Sequence, residues 1–226
     1  MSVASQFATI RATIKNACEK TGRDPSEVKV VGVTKYVTAA RAKEAVQAGV
    51  QHLAENRMEG IDEKQRLMTS ENVSWHFIGT LQSRKAKHVV NRIHYLHSLD
   101  HLSLADQIEK YSEDVLKCFI QMNIFGEESK HGLSEAELLP FVEMLKNYKK
   151  VCVIGLMTMA PHTDNEAIIR KVFQRLKQWQ LRVQELGYAH APCRELSMGM
   201  SNDYALAIEE GATFVRIGNA LVGKDI

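Results

Sequence analysis

The chain has 226 residues, 45% of them apolar and 25% charged, with a formal net charge of +2. That composition is typical of soluble globular proteins and excludes long disordered stretches; the small charge excludes an electrostatic footprint for nucleic acid or a membrane surface. The length suits one or two ordinary domains, or one α/β barrel.

Residues 2–21 pattern as an amphipathic helix and lack the continuous apolar core of a secretory signal. The first apolar run, 28–33, ends in Thr34-Lys35-Tyr36. A helical pattern follows at 38–48, with Thr38 placed to cap its start and Gly49 to stop it. Further short apolar runs occupy 50–54, 75–78, 93–97, 115–122, 151–157, 194–198 and 213–217. Helical patterns separate them at 56–69, 83–90, 102–111, 134–147, 164–186 and 202–210. Runs such as VKVVGV and VCVIGLM are apolar on both faces and rich in β-branched residues, as strands buried on both sides of a parallel sheet are.

Counting gives eight strands alternating with helices, the number that closes a TIM (β/α)8 barrel. An open doubly wound sheet is the competing architecture; strand count and length favour the barrel. No Pro-rich or low-complexity linker divides the chain, so residues 1–226 are expected to form a single barrel domain, with 2–21 an extra helix outside it. Cys18, Cys118, Cys152 and Cys193 are widely spaced and fit neither a disulfide framework nor a zinc site. No run approaches membrane-spanning length. A cytoplasmic monomer with no bound metal is expected. The basic run of Arg84, Lys85, Lys87, His88 and Arg92 reads as a solvated helix face.

Barrel chemistry is done at the C-terminal ends of the strands. There the sequence places Lys35, Glu55-Asn56, His97-Ser98, Asn123, Thr158, Ser197 and Arg216, with His76 inside the third strand. A lysine closing an apolar strand loses hydration, which favours the neutral, nucleophilic amine that attacks aldehydes; the plainer alternative is an ammonium that reaches solvent. Ser197-Met198-Gly199-Met200-Ser201 and Arg216-Ile217-Gly218-Asn219 follow the seventh and eighth strands, between which barrels often hold phosphate on main-chain amides. Either glycine alone reads equally well as a turn residue. Arg216 suits a ligand contact or a buried ion pair, and His76 suits a hydrogen-bonded core position better than direct chemistry.

At these residues the sequence resembles the pyridoxal-phosphate homeostasis proteins, the YggS/PROSC family, which look like the N-terminal barrel of alanine racemase without its second domain. The matching stretches are GVTKY around Lys35, AENR at 54–57, WHFIGTLQSRK at 75–85, GEESKHG at 126–132, GLMTMAP at 155–161 and ELSMGMSNDYALAIEEGATFVRIGNALVG at 195–223. The resemblance implies a barrel holding pyridoxal 5′-phosphate as a Schiff base on Lys35. It implies phosphate contacts from Ser197, Gly199, Ser201, Gly218 and Asn219, Arg216 facing the pyridine nitrogen, and Asn56 and His76 lining the ring pocket. Asn219 stands where many relatives carry threonine, and Lys130 in the GEESKHG stretch reads as a loop lysine. The implied function is to carry or buffer the cofactor, with pyridoxal-phosphate-dependent apoenzymes as recipients and effects on amino-acid and keto-acid pools. Robust catalytic turnover is not expected. The alternative is a small amino-acid racemase using the same cofactor.

Overall fold

The computed structural model describes residues 2–69, 71–126 and 131–223. Helix α1 (Val3–Thr21) comes first, capped by the Ser2 hydroxyl and ended by Gly22. Eight strands follow: β1 (Lys29–Val33), β2 (His52–Glu55), β3 (Ser74–Phe77), β4 (Tyr95–Leu99), β5 (Leu116–Gln121), β6 (Val151–Met157), β7 (Glu195–Ser197) and β8 (Phe214–Ile217). Between and after them lie α2 (Ala39–Gln47), α3 (Met58–Leu67), α4 (Ser83–Val89), α5 (Leu102–Tyr111), α6 (Glu135–Met144), α7 (Glu166–Glu185), α8 (Tyr204–Glu209) and α9 (Asn219–Val222). The strands pair in sequence order, all parallel, and β8 returns to β1 to close the barrel. The TIM-barrel expectation is therefore met, and the open sheet is not formed.

The closure follows from which residues can be buried twice. Along each strand, alternate side chains point to opposite faces. One set, including Leu53, Trp75, Phe77, Leu96, Val215 and Ile217, joins the large apolar layer between strands and helices. The other set, Val31, Ala54, Phe119, Met157 and Phe214, packs with Val33, Ile78, Tyr95 and Ile154 as a separate cluster inside the barrel. Most strand residues are thus buried on both faces, as the continuous β-branched runs signal.

Helix α1 lies outside, against α2, α8 and α9. Thr38 caps α2 as expected, accepting from the Arg41 amide at 3.3 Å. On α4, Ala86 and Val89 are buried while Arg84, Lys85, Lys87 and His88 face solvent, so the basic run is a solvated helix face. The four cysteines are free thiols. Among the described residues, no group of side chains could hold a metal ion and no helix is long and apolar enough to cross a membrane.

Candidate functional site at the C-terminal rim

Lys35 stands two residues beyond β1, in the turn of Thr34–Val37, closed by the Val37 amide donating to the Thr34 carbonyl at 3.2 Å. Its parity is that of Val31 and Val33, which face the barrel interior. The turn is held from behind: the Thr34 amide donates to the Ala54 carbonyl at 3.0 Å, and its hydroxyl to Glu55 Oε1 at 2.6 Å. Lys64 of α3 reaches the same carboxylate oxygen at 3.0 Å. All three side chains are buried. A buried ion pair with further hydrogen bonds fixes geometry more surely than it adds stability, and here it fixes the base of the lysine turn. Lys35 itself is half-buried, its Nζ 4.9 Å from the centre of the exposed Tyr36 ring. Of the two readings the sequence allows, a dehydrated amine and an ammonium that reaches solvent, the half-buried Lys35 at the rim lies between them.

Across the β1–β8 seam, Val31 pairs with Arg216 and Gly32 with Ile217. Gly218 follows directly, and a Cβ there would lie 3.4 Å from the Val33 carbonyl oxygen. The loop after β8 therefore runs beside the main chain that carries Lys35. The loop after β7 is tied to it twice. The Arg216 amide donates to the Gly199 carbonyl at 2.9 Å, and the Ala220 amide to the Ser201 hydroxyl at 3.4 Å. Gly199 has φ +88°, and a Cβ there would meet Ala207 Cβ at 2.5 Å, so backbone freedom and close approach to α8 both require glycine. Asp203 closes this loop through the Met200 amide, at 2.5 Å; burial holds its carboxyl above the usual range.

Arg216 is buried in the barrel. Its Nη1 donates to Ser197 Oγ at 2.5 Å and its Nη2 to the Thr158 carbonyl at 2.9 Å. Burial pushes its pKa down to about 10, opposed by the charge of Asp203, so it remains a cation at neutral pH. Among the described residues no carboxylate lies within ion-pair distance of it. A buried guanidinium with five donors and only neutral partners is open to a further acceptor.

Below it runs a row of rings. His97 Nδ1 lies 2.8 Å from Ser197 Oγ, His97 Nε2 lies 2.8 Å from His76 Nδ1, and His76 Nε2 lies 2.9 Å from His52 Nδ1. Burial drives the His76 and His97 pKa values well below the ordinary histidine value and that of His52 to about 4, so all three are neutral. His76 also stacks on Tyr95, with centroids 4.3 Å apart.

The structure thus brings Lys35, Gly199, Ser201, Arg216, Gly218 and Asn219 to one side of the rim, on β1, β7 and β8 and their loops. Asn56 follows β2 and is half-buried, its backbone packed against Gly79. Two expectations change. His76 is fully buried with both nitrogens committed to His52 and His97, so it is a core histidine and offers no atom to a ring pocket. The Ser197 hydroxyl is occupied by Arg216 and His97 rather than aimed at the loop. Sequence reasoning missed Glu55 with Lys64 as the support of the lysine turn, and His52 with His97 as neighbours of His76; inward parity at 52, 76 and 97 was the available signal. Lys130 lies outside the described residues.

The chain matches the family model described as alanine racemase, N-terminal domain, over residues 6–225. It is 35% identical to the pyridoxal phosphate homeostasis protein of Aquifex aeolicus, over 99% of each chain. The chain belongs to the pyridoxal phosphate homeostasis protein family. Another member, from Pseudomonas aeruginosa, is 34% identical over 98% of this chain and 95% of its own. PipY of Synechococcus elongatus, solved with PLP bound, superposes with a TM-score of 0.85 at 30% identity, covering 98% of this chain and 100% of PipY. Alanine racemase of Bacillus anthracis, 19% identical with a TM-score of 0.69 over 96% of this chain and 56% of its own, shares the barrel fold. Membership of this family confirms the resemblance carried by the GVTKY, WHFIG and LSMGMS motifs.

Proposed function

We propose that this chain binds pyridoxal 5′-phosphate as a Schiff base on Lys35 and carries or buffers the cofactor, acting on amino-acid and keto-acid pools through the apoenzymes it supplies. The observation that carries the reading is the placement of the Lys35 turn against the Gly218 loop, with the uncompensated Arg216 cation beneath. The residues present fit the cofactor. The Met200 amide is taken by Asp203, which leaves the amides and side chains of Ser201 and Asn219, beside Gly199 and Gly218, as a small-residue cradle suited to phosphate, and Arg216 has spare donors for an aromatic nitrogen. Asn56 stands on the neighbouring strand end, at the edge of the ring.

When bound, the cofactor supplies an aldehyde that captures amines and a ring that withdraws electrons. Arg216 tempers that chemistry. A carboxylate beside the pyridine nitrogen keeps it protonated, whereas a donor-only cation favours the unprotonated nitrogen and a weaker electron sink. Glu55, Thr34 and Lys64 hold the base of the lysine turn while its amine keeps contact with solvent, where incoming amines arrive. Such a site suits reversible capture and release better than fast amino-acid chemistry.

Borohydride reduction of the cofactor-treated protein, followed by peptide mass mapping, tests this directly. The adduct is expected on Lys35 and is lost in Lys35→Ala; a reduced adduct on a different lysine at undiminished yield would overturn the assignment. Turnover of L- or D-alanine at ordinary enzyme rates would replace the carrier reading with the racemase reading.

A further inference from the structure

The N-terminal mouth of the barrel, opposite the rim that carries Lys35, has its own cluster of charges. A cleft of about 600 Å³ opens there between α1 and the starts of β1 and β2. Phe7 and Val50 contribute to its apolar side; Arg11, Lys15, Lys29 and His52 supply its polar side. That volume lies within the range of small-molecule sites, roughly 300–1,000 Å³, where an apolar wall and a few convergent polar groups are usual. Three carboxylates are nearby, one of them Asp24, which accepts from the amide of the cleft residue Ser26 at 2.8 Å. Glu195 lies 3.7 Å from Lys29, and the exposed Glu19 lies 3.7 Å from Lys15. Arg11 has no ion pair among the described residues, and Lys117, 5.2 Å from the Tyr95 ring centre, adds a further cation at this end of the barrel. The cleft therefore carries a net positive charge.

His52 is where this cleft meets the interior. The direction of the hydrogen bonds along the histidine row is assigned from Arg216, which can only donate. Ser197 Oγ accepts from the guanidinium, and among the described residues His97 Nδ1 is the one acceptor within reach of its own buried proton, which therefore goes there. His97 then donates from Nε2 to His76 Nδ1, and His76 from Nε2 to His52 Nδ1. That leaves the His52 Nε2–H with no partner among the described residues, at the wall of the cleft.

We propose that the cleft is a second ligand site, taking a small organic anion with a phosphate or carboxylate head and an apolar body, and that the histidine row transmits its occupancy to Arg216. The head accepts from His52 Nε2 and pairs with Arg11 and Lys15; the body lies on Phe7 and Val50. An anion at the open end polarises each donor in a chain of aligned hydrogen bonds, strengthening successive members by about 10–30%. A ligand bound on one face thereby alters the guanidinium that serves the other. The inference is independent of what binds at Lys35.

Phenyl phosphate, with inorganic phosphate and benzoate in parallel, is the probe. Calorimetry and histidine ring ¹⁵N resonances are recorded for the wild-type chain, Arg11→Ala/Lys15→Ala and His52→Phe. Both cations are exposed on α1, so the double variant keeps its unfolding midpoint. Saturable binding of phenyl phosphate or benzoate is expected, at least tenfold tighter than inorganic phosphate and at least tenfold weaker in the double variant. His52 and His97 resonances move together in the wild type, and the His97 response vanishes in His52→Phe. Undiminished affinity in the double variant would place the anion in the Ser201 and Gly218 loops and overturn the site, as would the lack of saturable binding. A His97 resonance that stays fixed while His52 titrates would overturn the coupling.

Discussion

Ser197 Oγ sits between Arg216 Nη1 at 2.5 Å and His97 Nδ1 at 2.8 Å, and both neighbours are buried. Ser197→Ala therefore strands a guanidinium donor and an imidazole acceptor, and should cost about 1–3 kcal/mol, read from urea unfolding. It should also broaden the absorbance of the bound cofactor by loosening Arg216. Lys35→Ala should behave oppositely: the side chain is half-buried and outside the core, so the unfolding midpoint stays within a few degrees of wild type while the reducible adduct disappears. Arg216→Glu should raise the basicity of the pyridine nitrogen, and unchanged cofactor spectra across pH would argue against its placement there. The positions of Lys35 and Arg216 at the barrel rim were legible because each interrupts an apolar run at or just past a strand end. The true place of His76 followed from parity as much as from residue type, for an inward histidine needs neighbours on adjacent strands, and His52 and His97 are far from it in sequence.

The strands and helices were legible almost throughout, since the alternation of doubly buried runs with amphipathic patterns leaves little choice of architecture. Helix α5 spans Leu102–Tyr111, as its pattern indicates. Boundaries moved where short polar groups intervene: the seventh run shrinks to the three residues of β7, because beyond Ser197 the chain turns into the Gly199 loop. That loop depends on a position no L side chain occupies comfortably. Gly199→Ala should destabilise by about 1–3 kcal/mol through strain at φ +88° and contact with Ala207, and weaken phosphate binding at the same time. Phosphate-ester titration and thermal melts read the two effects separately. The Glu55–Lys64 pair was illegible, because nothing in the AENR stretch says that its carboxylate turns outward to meet a lysine nine residues on.

Three histidines inside the barrel, His52, His76 and His97, are neutral in the fold and make its stability depend on pH. His76 and His97 are held below the unfolded value of 6.5 by burial, so the unfolded chain binds more protons than the folded one once the pH drops below that value. Stability present above pH 6.5 is thus lost as pH falls, at up to about 1.4 kcal/mol per pH unit for each fully buried ring. His52, whose pKa is about 4, adds less because it keeps partial solvent contact. Asp100 and Asp203, raised by burial, take up protons on folding and oppose the trend. Denaturant midpoints measured from pH 7 to pH 5 should fall, and less steeply in His97→Gln; a flat profile would contradict the neutral row.

The β1–β8 seam joins residues 29–32 to residues 214–217, the most distant pairing in the sheet. Loop closure of that span makes such contacts slow to form. During synthesis the amine at position 35 emerges from the ribosome long before the strand that must lie beside it. If Lys35 and the Gly218 loop hold the cofactor as proposed, a nascent chain has no place for a phosphorylated aldehyde, and acquisition of the guest reports that the last strand has docked.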